Sequence, residues 1–157
     1  MKGDGALDVI VTGASGAIPR HDIERMTSHA KMFYKAIRSR KSHSDVVAIA
    51  ANTGFSQEDI YNIKMHLFIN KYAGLDDEDP HIAKRFDEDY DIAQSWQRLI
   101  NGGQDIREMD IILLYHERME YELMHQGLGY YNAHAQAARQ FNYGKYVDEL
   151  NMQEGIK

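Results

Sequence analysis

Apolar residues recur at helical spacing along most of the chain. From about Asp22 to Arg40, the residues Ile23, Met26, Ala30, Phe33, Tyr34 and Ile37 share one side of a helical period, which predicts an amphipathic helix. A second helix is expected from about Ser44 to Asn52, closed by Gly54, since glycine enters the left-handed C-cap conformation without steric cost. Ser56 followed by Asp59 has the pattern of a capping box and opens a third helix through about Asn70. A fourth spans about Tyr90 to Ile100 and stops at Asn101-Gly102-Gly103. The fifth and longest runs from about Ile106 to Gln126 and ends at Gly127, and the last covers about Tyr130 to Asn142. Residues 73–89 contain Gly74, Pro80 and seven acidic side chains and read as a loop. The expected fold is therefore all-α: a compact bundle of five to six helices over residues 21–145. A flexible segment, 1–20, precedes it and carries a β-prone run at 7–12 that suggests a short strand or hairpin. A loose polar tail, 146–157, follows.

Composition narrows the function more than the fold. At 157 residues the chain suits one domain, long enough for a self-sufficient core. Its 24 acidic residues against 18 Lys and Arg leave a net charge of −6, the opposite of what proteins living on phosphate contacts present. A nucleic-acid role would have to rest on a local basic patch. Cysteine is absent, so neither disulfides nor thiolate metal sites are available, which fits a reducing, cytoplasmic setting. No apolar run reaches the roughly 18 residues of a membrane-crossing helix, and no signal-like segment leads the chain, so no membrane partner is expected.

Two motifs imitate function. Val11-Thr12-Gly13-Ala14-Ser15-Gly16 looks like a dinucleotide phosphate loop, but Pro19 stands where the third glycine belongs and no further strands follow. Ala50, Gly54 and Ile60 have helix-turn-helix spacing. The recognition helix would begin Gln57-Glu58-Asp59, however, presenting carboxylates to phosphates, so a packed αα-corner is the better reading.

The segment from Asp110 to Met124 carries the chemistry. Its apolar first turn drives a helix into the core, and His116 and Glu120, four apart, then project from one face beside Leu113, Leu123 and Met124. A half-buried carboxylate costs several kcal/mol unless it is paired or bound. Gly127 and Gly129 allow the chain to turn back, and an antiparallel return would bring His134 within reach of His116. Three readings follow. His116 and Glu120 form a structural pair with His134 at the surface. Alternatively, His116 and His134 act as general base and acid, Glu120 orients one imidazole, and Lys64 and Arg85 stabilise a pentavalent phosphate, which is a cofactor-free ribonuclease scheme. In the third, His116, Glu120 and His134 ligate zinc or iron, with Glu117 placed as a metallopeptidase base, although glutamate at 120 replaces the second histidine of that pattern. Among the other polar candidates, Trp96 suits the core, Arg98 suits a salt bridge, and His66 reads as a satisfied core histidine.

Several short motifs occur in order: Asn52-Thr53-Gly54-Phe55-Ser56, Ile63-Lys64, Arg85-Phe86-Asp87, Ser95-Trp96-Gln97-Arg98-Leu99, Leu113-Leu114 with His116-Glu117 and Glu120, and Ala133-His134. Together they resemble a C-terminal domain of phage minor head proteins of the MuF type and of bacterial polymorphic toxins, over about residues 14–145. The resemblance implies a toxin or effector module carried by a larger, phage-associated or delivered protein. Many such modules are nucleases, so it favours the ribonuclease, with RNA as substrate and a cognate immunity protein as partner. It implies Lys64, Arg85, His116, Glu117, Glu120 and His134 as catalytic candidates, with Trp96 and Arg98 as substrate-binding ones. The readings that remain are a zinc-dependent hydrolase or peptidase and a non-catalytic, phage-associated binding domain.

Overall fold

The computed structural model describes residues 18–155, and these form seven α-helices with no strand. In chain order they are α1 (Ile23–Ser39), α2 (Ser44–Thr53), α3 (Gln57–Lys64), α4 (Tyr90–Asn101), α5 (Glu108–His125), α6 (Tyr130–Gln140) and α7 (Tyr143–Gln153). The all-α expectation holds. The β-prone run and the glycine-rich turn before Pro19 lie outside the described residues.

Local signals set most of the boundaries. The Asp22 side chain accepts from the Arg25 amide at the start of α1, and Ser56 accepts from the Asp59 amide at the start of α3. Gly54 closes α2 at φ 85°, in the left-handed region. Gly102, at φ 79°, ends α4, where the Asn52 amide donates to the carbonyls of Leu99 and Ile100. A Cβ there would lie 2.6 Å from the Asn52 amide nitrogen, so the contact that ties α2 to α4 requires glycine.

The main core gathers Phe33, Tyr34, Ile37, Ile49, Ile60, Ile63, Phe68, Trp96, Leu99 and Leu114 from α1 to α5. Ala50 and Ile60 pack inside the α2–α3 corner, which is a packing device here. Two departures from the sequence reading matter. The third helix does not run evenly to Asn70: after Lys64 it widens into a π-turn, Met65–Ile69, closed by the Asn70 amide on the Met65 carbonyl at 2.7 Å. The tail expected to be loose instead forms α7. Asn142 caps it, and Tyr143, Tyr146, Val147 and Leu150, spaced for one helical face, pack on Met109 and Leu113. Arg20 fastens its far end, donating to Asn151 and, through both terminal nitrogens, to Asp91 of α4.

Candidate functional site

α5 presents His116, Glu117 and Glu120 toward α6. The chain reverses at Gly127, φ 105°, and α6 returns antiparallel with Ala133 and Ala137 fully buried against its neighbours. These small residues allow a close approach, and His134 is carried to within 5.0 Å of His116, ring centre to ring centre. The expected meeting of the two imidazoles is what the fold produces.

A third imidazole joins them, one whose expected role was that of a satisfied core histidine and whose place beside Glu120 was not foreseen. His66 sits on the π-turn, fully buried, with Nε2 2.8 Å from Glu120 Oε1. As expected of a core histidine it is satisfied on both nitrogens, but one partner is the Glu120 carboxylate that His116 and His134 also address. A π-turn shifts the register of its side chains, a device frequent at functional sites. The one sequence signal was a lone imidazole on an apolar helix, which must have a polar partner somewhere. Tyr72 completes this arm: its hydroxyl lies 2.8 Å from His66 Nδ1 and accepts from the Asn70 amide at 3.2 Å.

Three imidazoles and two carboxylates thus meet at one point. Glu120 Oε2 lies 2.8 Å from His134 Nδ1 and 3.3 Å from His116 Nε2. His116 Nδ1 is 3.0 Å from the Phe141 carbonyl, and because a carbonyl can only accept, Nδ1 carries a proton there. Its Nε2 therefore faces the carboxylate either as a second N–H or as a lone pair awaiting a cation. Glu117, also buried, has His66 Nε2 at 3.5 Å and His116 Nε2 at 3.9 Å as its imidazole neighbours.

The two carboxylates are driven apart in acidity. Burial, then the neighbouring Glu120 charge, pushes the Glu117 carboxyl well above its usual range. Burial would do the same to Glu120, but hydrogen bonds from His116, His134 and His66 outweigh it and hold that carboxyl far below. The Glu120 hydrogen bond also raises His134. A pair of acids separated in this way is the usual arrangement of a proton-transferring site.

Two ligand triads are present among the described residues: His116, Glu120 and His134, and His66, Glu117 and Glu120. Within each, the donor atoms all lie within 4.8 Å of one another. Nδ1 of His116 bonded to a backbone carbonyl is the outer-shell contact that typically orients a metal-ligating histidine. The cluster forms the floor of a cleft of about 620 Å³ walled by Tyr34, Phe86, Tyr130 and Tyr143. His134, with 48% of its side chain exposed, is the member most open to solvent.

The other sequence candidates lie elsewhere. Lys64 is buried, its Nζ 2.8 Å from Asp45 Oδ1, so it cannot reach a substrate phosphate. Trp96 is fully buried with its indole N–H on Asp45 Oδ2, a core position that offers no face to a substrate. Arg98 forms a two-pronged ion pair with Asp110 that closes the start of α5. Arg85 donates Nε to the Ile69 carbonyl and lines a separate pocket.

No protein-family model matches the chain, and no curated protein or solved structure is significantly similar to it. No helix among the described residues is long and apolar enough to cross a membrane.

Proposed function

We propose that the protein is a metal-dependent hydrolase, with His116, Glu120 and His134 as ligands of a zinc ion and Glu117 as general base. One observation carries this reading: His116 Nε2 and His134 Nδ1 converge on the same oxygen of Glu120, at 3.3 and 2.8 Å, and one donor atom from each of the three residues lies within 4.8 Å of the others. A cation at that point would replace the two hydrogen bonds by coordination of the same three side chains. Two histidines and one carboxylate suit zinc, which would polarise a substrate oxygen and acidify a bound water. Glu117 lies beside the triad; a cation there would favour its ionised form against the burial that raises it, and the ionised carboxylate can accept from the attacking water. Glu120 is held by His66 on one oxygen, which fixes the carboxylate for the other.

The cofactor-free ribonuclease is the second reading. It is favoured by His134, whose raised pKa and exposure suit a proton donor to a leaving group. Against it, His116 and His134 address the same oxygen of Glu120, whereas an acid and a base flanking a scissile phosphate must face each other across open space. The resemblance to phage-borne and polymorphic-toxin domains supports placing either activity in an effector module, with RNA as substrate and an immunity protein as partner.

Metal titration decides between them. Stripped protein should take up zinc stoichiometrically, and His116→Ala, which removes a ligand, should weaken uptake by more than the roughly 10–100-fold that loss of an outer-shell contact costs. Cleavage of total RNA or of a generic phosphodiester should appear only with metal. If chelated protein cleaves RNA as fast as loaded protein, the two-histidine scheme replaces this one. If zinc at micromolar concentration is ignored, the metal reading is abandoned.

A further inference from the structure

Arg38 and Arg85 lie outside the His–Glu cluster, and nothing in the proposed chemistry uses them. Each guanidinium is anchored by its Nε on the end of the π-turn: Arg38 on the Phe68 carbonyl at 2.6 Å, Arg85 on the Ile69 carbonyl at 3.2 Å. Anchoring through Nε leaves the terminal N–H groups of Arg85 available, while the Arg38 guanidinium also stands over the Tyr34 ring, 5.5 Å from its centre. Glu88 reaches Arg38 only loosely, at 3.7 Å, and among the described residues Arg85 has no carboxylate at ion-pair distance. Both cations line a pocket of about 370 Å³ together with Lys71, Lys84, Asp87 and Glu88. Four cations against two carboxylates is a local positive excess in a chain whose net charge is −6. Two like charges held side by side are costly unless something anionic comes between them; burial and the nearby Arg85 charge hold the Arg38 guanidinium below its ordinary value.

The pocket also has the right address. Lys84, Phe86 and Asp87 line both it and the cleft above the His–Glu cluster, so the two adjoin along this short stretch of chain. We infer that the Arg38–Arg85 pocket binds a phosphate group of the same molecule whose scissile bond enters the neighbouring cleft, which makes the substrate a phosphodiester chain. This rests on the hydrolase reading for its link to catalysis, but the pocket itself can be tested without metal.

The probe is inorganic phosphate, titrated calorimetrically into the metal-stripped 157-residue chain at low ionic strength. One phosphate should bind per chain. Affinity should fall at least about tenfold in Arg85→Gln, in line with loss of a charge-assisted fork. It should also fall in Lys71→Glu, an exposed position where substitution does not threaten the fold, and stay unchanged in His116→Ala. A short single-stranded RNA should displace the phosphate. Absence of saturable binding, equal affinity in Arg85→Gln, or failure of RNA to compete would each overturn the inference. Zinc uptake by Arg85→Gln should match wild type, so phosphate binding without zinc binding would sink the hydrolase and leave the pocket standing.

Discussion

Lys64 and His66 are two residues apart on one helical run, yet they enter opposite kinds of polar cluster. Lys64 joins Asp45 and Trp96 inside the main core. Asp45 Oδ1 receives Lys64 Nζ and the Val46 amide, while Oδ2 receives the Trp96 indole, so every acceptor has a donor and the charges cancel. His66 joins a group with two carboxylates, imidazoles whose nitrogens point at the same oxygens, and an opening to solvent. Both clusters are buried, so burial does not mark the functional one. Imbalance does. A structural network matches its charges within itself, whereas the second cluster crowds two buried carboxylates against three imidazoles with no Lys or Arg among the described residues paired to either carboxylate.

The largest expected effect breaks the balanced side. Asp45→Ala strands a fully buried ammonium and the Trp96 N–H, and losing one partner of a buried pair costs about 3–5 kcal/mol. Chemical denaturation should show a loss of that size, with zinc affinity of the remaining folded protein unchanged. A loss under about 1 kcal/mol would mean that the pair is not the closed network its geometry describes.

The unbalanced side should answer to pH instead. Glu117, raised well above its ordinary 4.5, binds a proton in the native state that the unfolded chain releases, so stability falls as pH rises from 4.5 toward the folded value. His134, raised from 6.5, adds stability that is complete below 6.5 and is lost as pH rises through its folded value. Glu120, held low, acts the other way: its contribution is present above 4.5 and disappears as pH falls below it. Metal-free protein should therefore lose stability as pH rises above 4.5, first through Glu117 and, above 6.5, through His134 as well. Glu117→Gln should flatten the part of that decline below 6.5, leave the His134 part, and lower hydrolysis about 100-fold or more, as expected for a general base. Unfolding curves at several pH values with the same slope in both proteins would show that Glu117 is not the buried acid described here.

The helices were legible because their signals are local. Asp22, Gly54, Ser56 and Gly102 act within a turn of where they stand, and the spacing of apolar residues in α1 and α5 states which face goes inward. His116, Glu117, Glu120 and His134 were legible for a related reason: they sit on two consecutive helices joined by a short glycine turn, so sequence nearness became nearness in space. His66 was not, because its approach depends on the π-turn and on a partner 54 residues away. Trp96 in the core and Arg98 in a salt bridge are what their residue types suggest, and only the family resemblance offered them to a substrate; Lys64 looks available until Asp45 is seen beside it. α7 went unread because its polar residues outnumber the four that dock it.

Tyr72→Phe gives the finest cut between the two clusters. The hydroxyl bonds His66 Nδ1 and accepts from the Asn70 side chain, and it makes no hydrogen bond to either carboxylate. In a purely structural role its removal would cost about 1 kcal/mol of stability, the usual value of one hydrogen bond, and nothing else. If His66 instead orients Glu120 for a metal, the loss must also pass through the imidazole to the site, and zinc affinity should drop about tenfold, the lower end for an outer-shell contact. Calorimetric zinc titration beside thermal unfolding separates the two. An unchanged zinc affinity with reduced stability would return His66 to the structural side of the comparison, leaving Glu120 to be positioned by His116 and His134 alone.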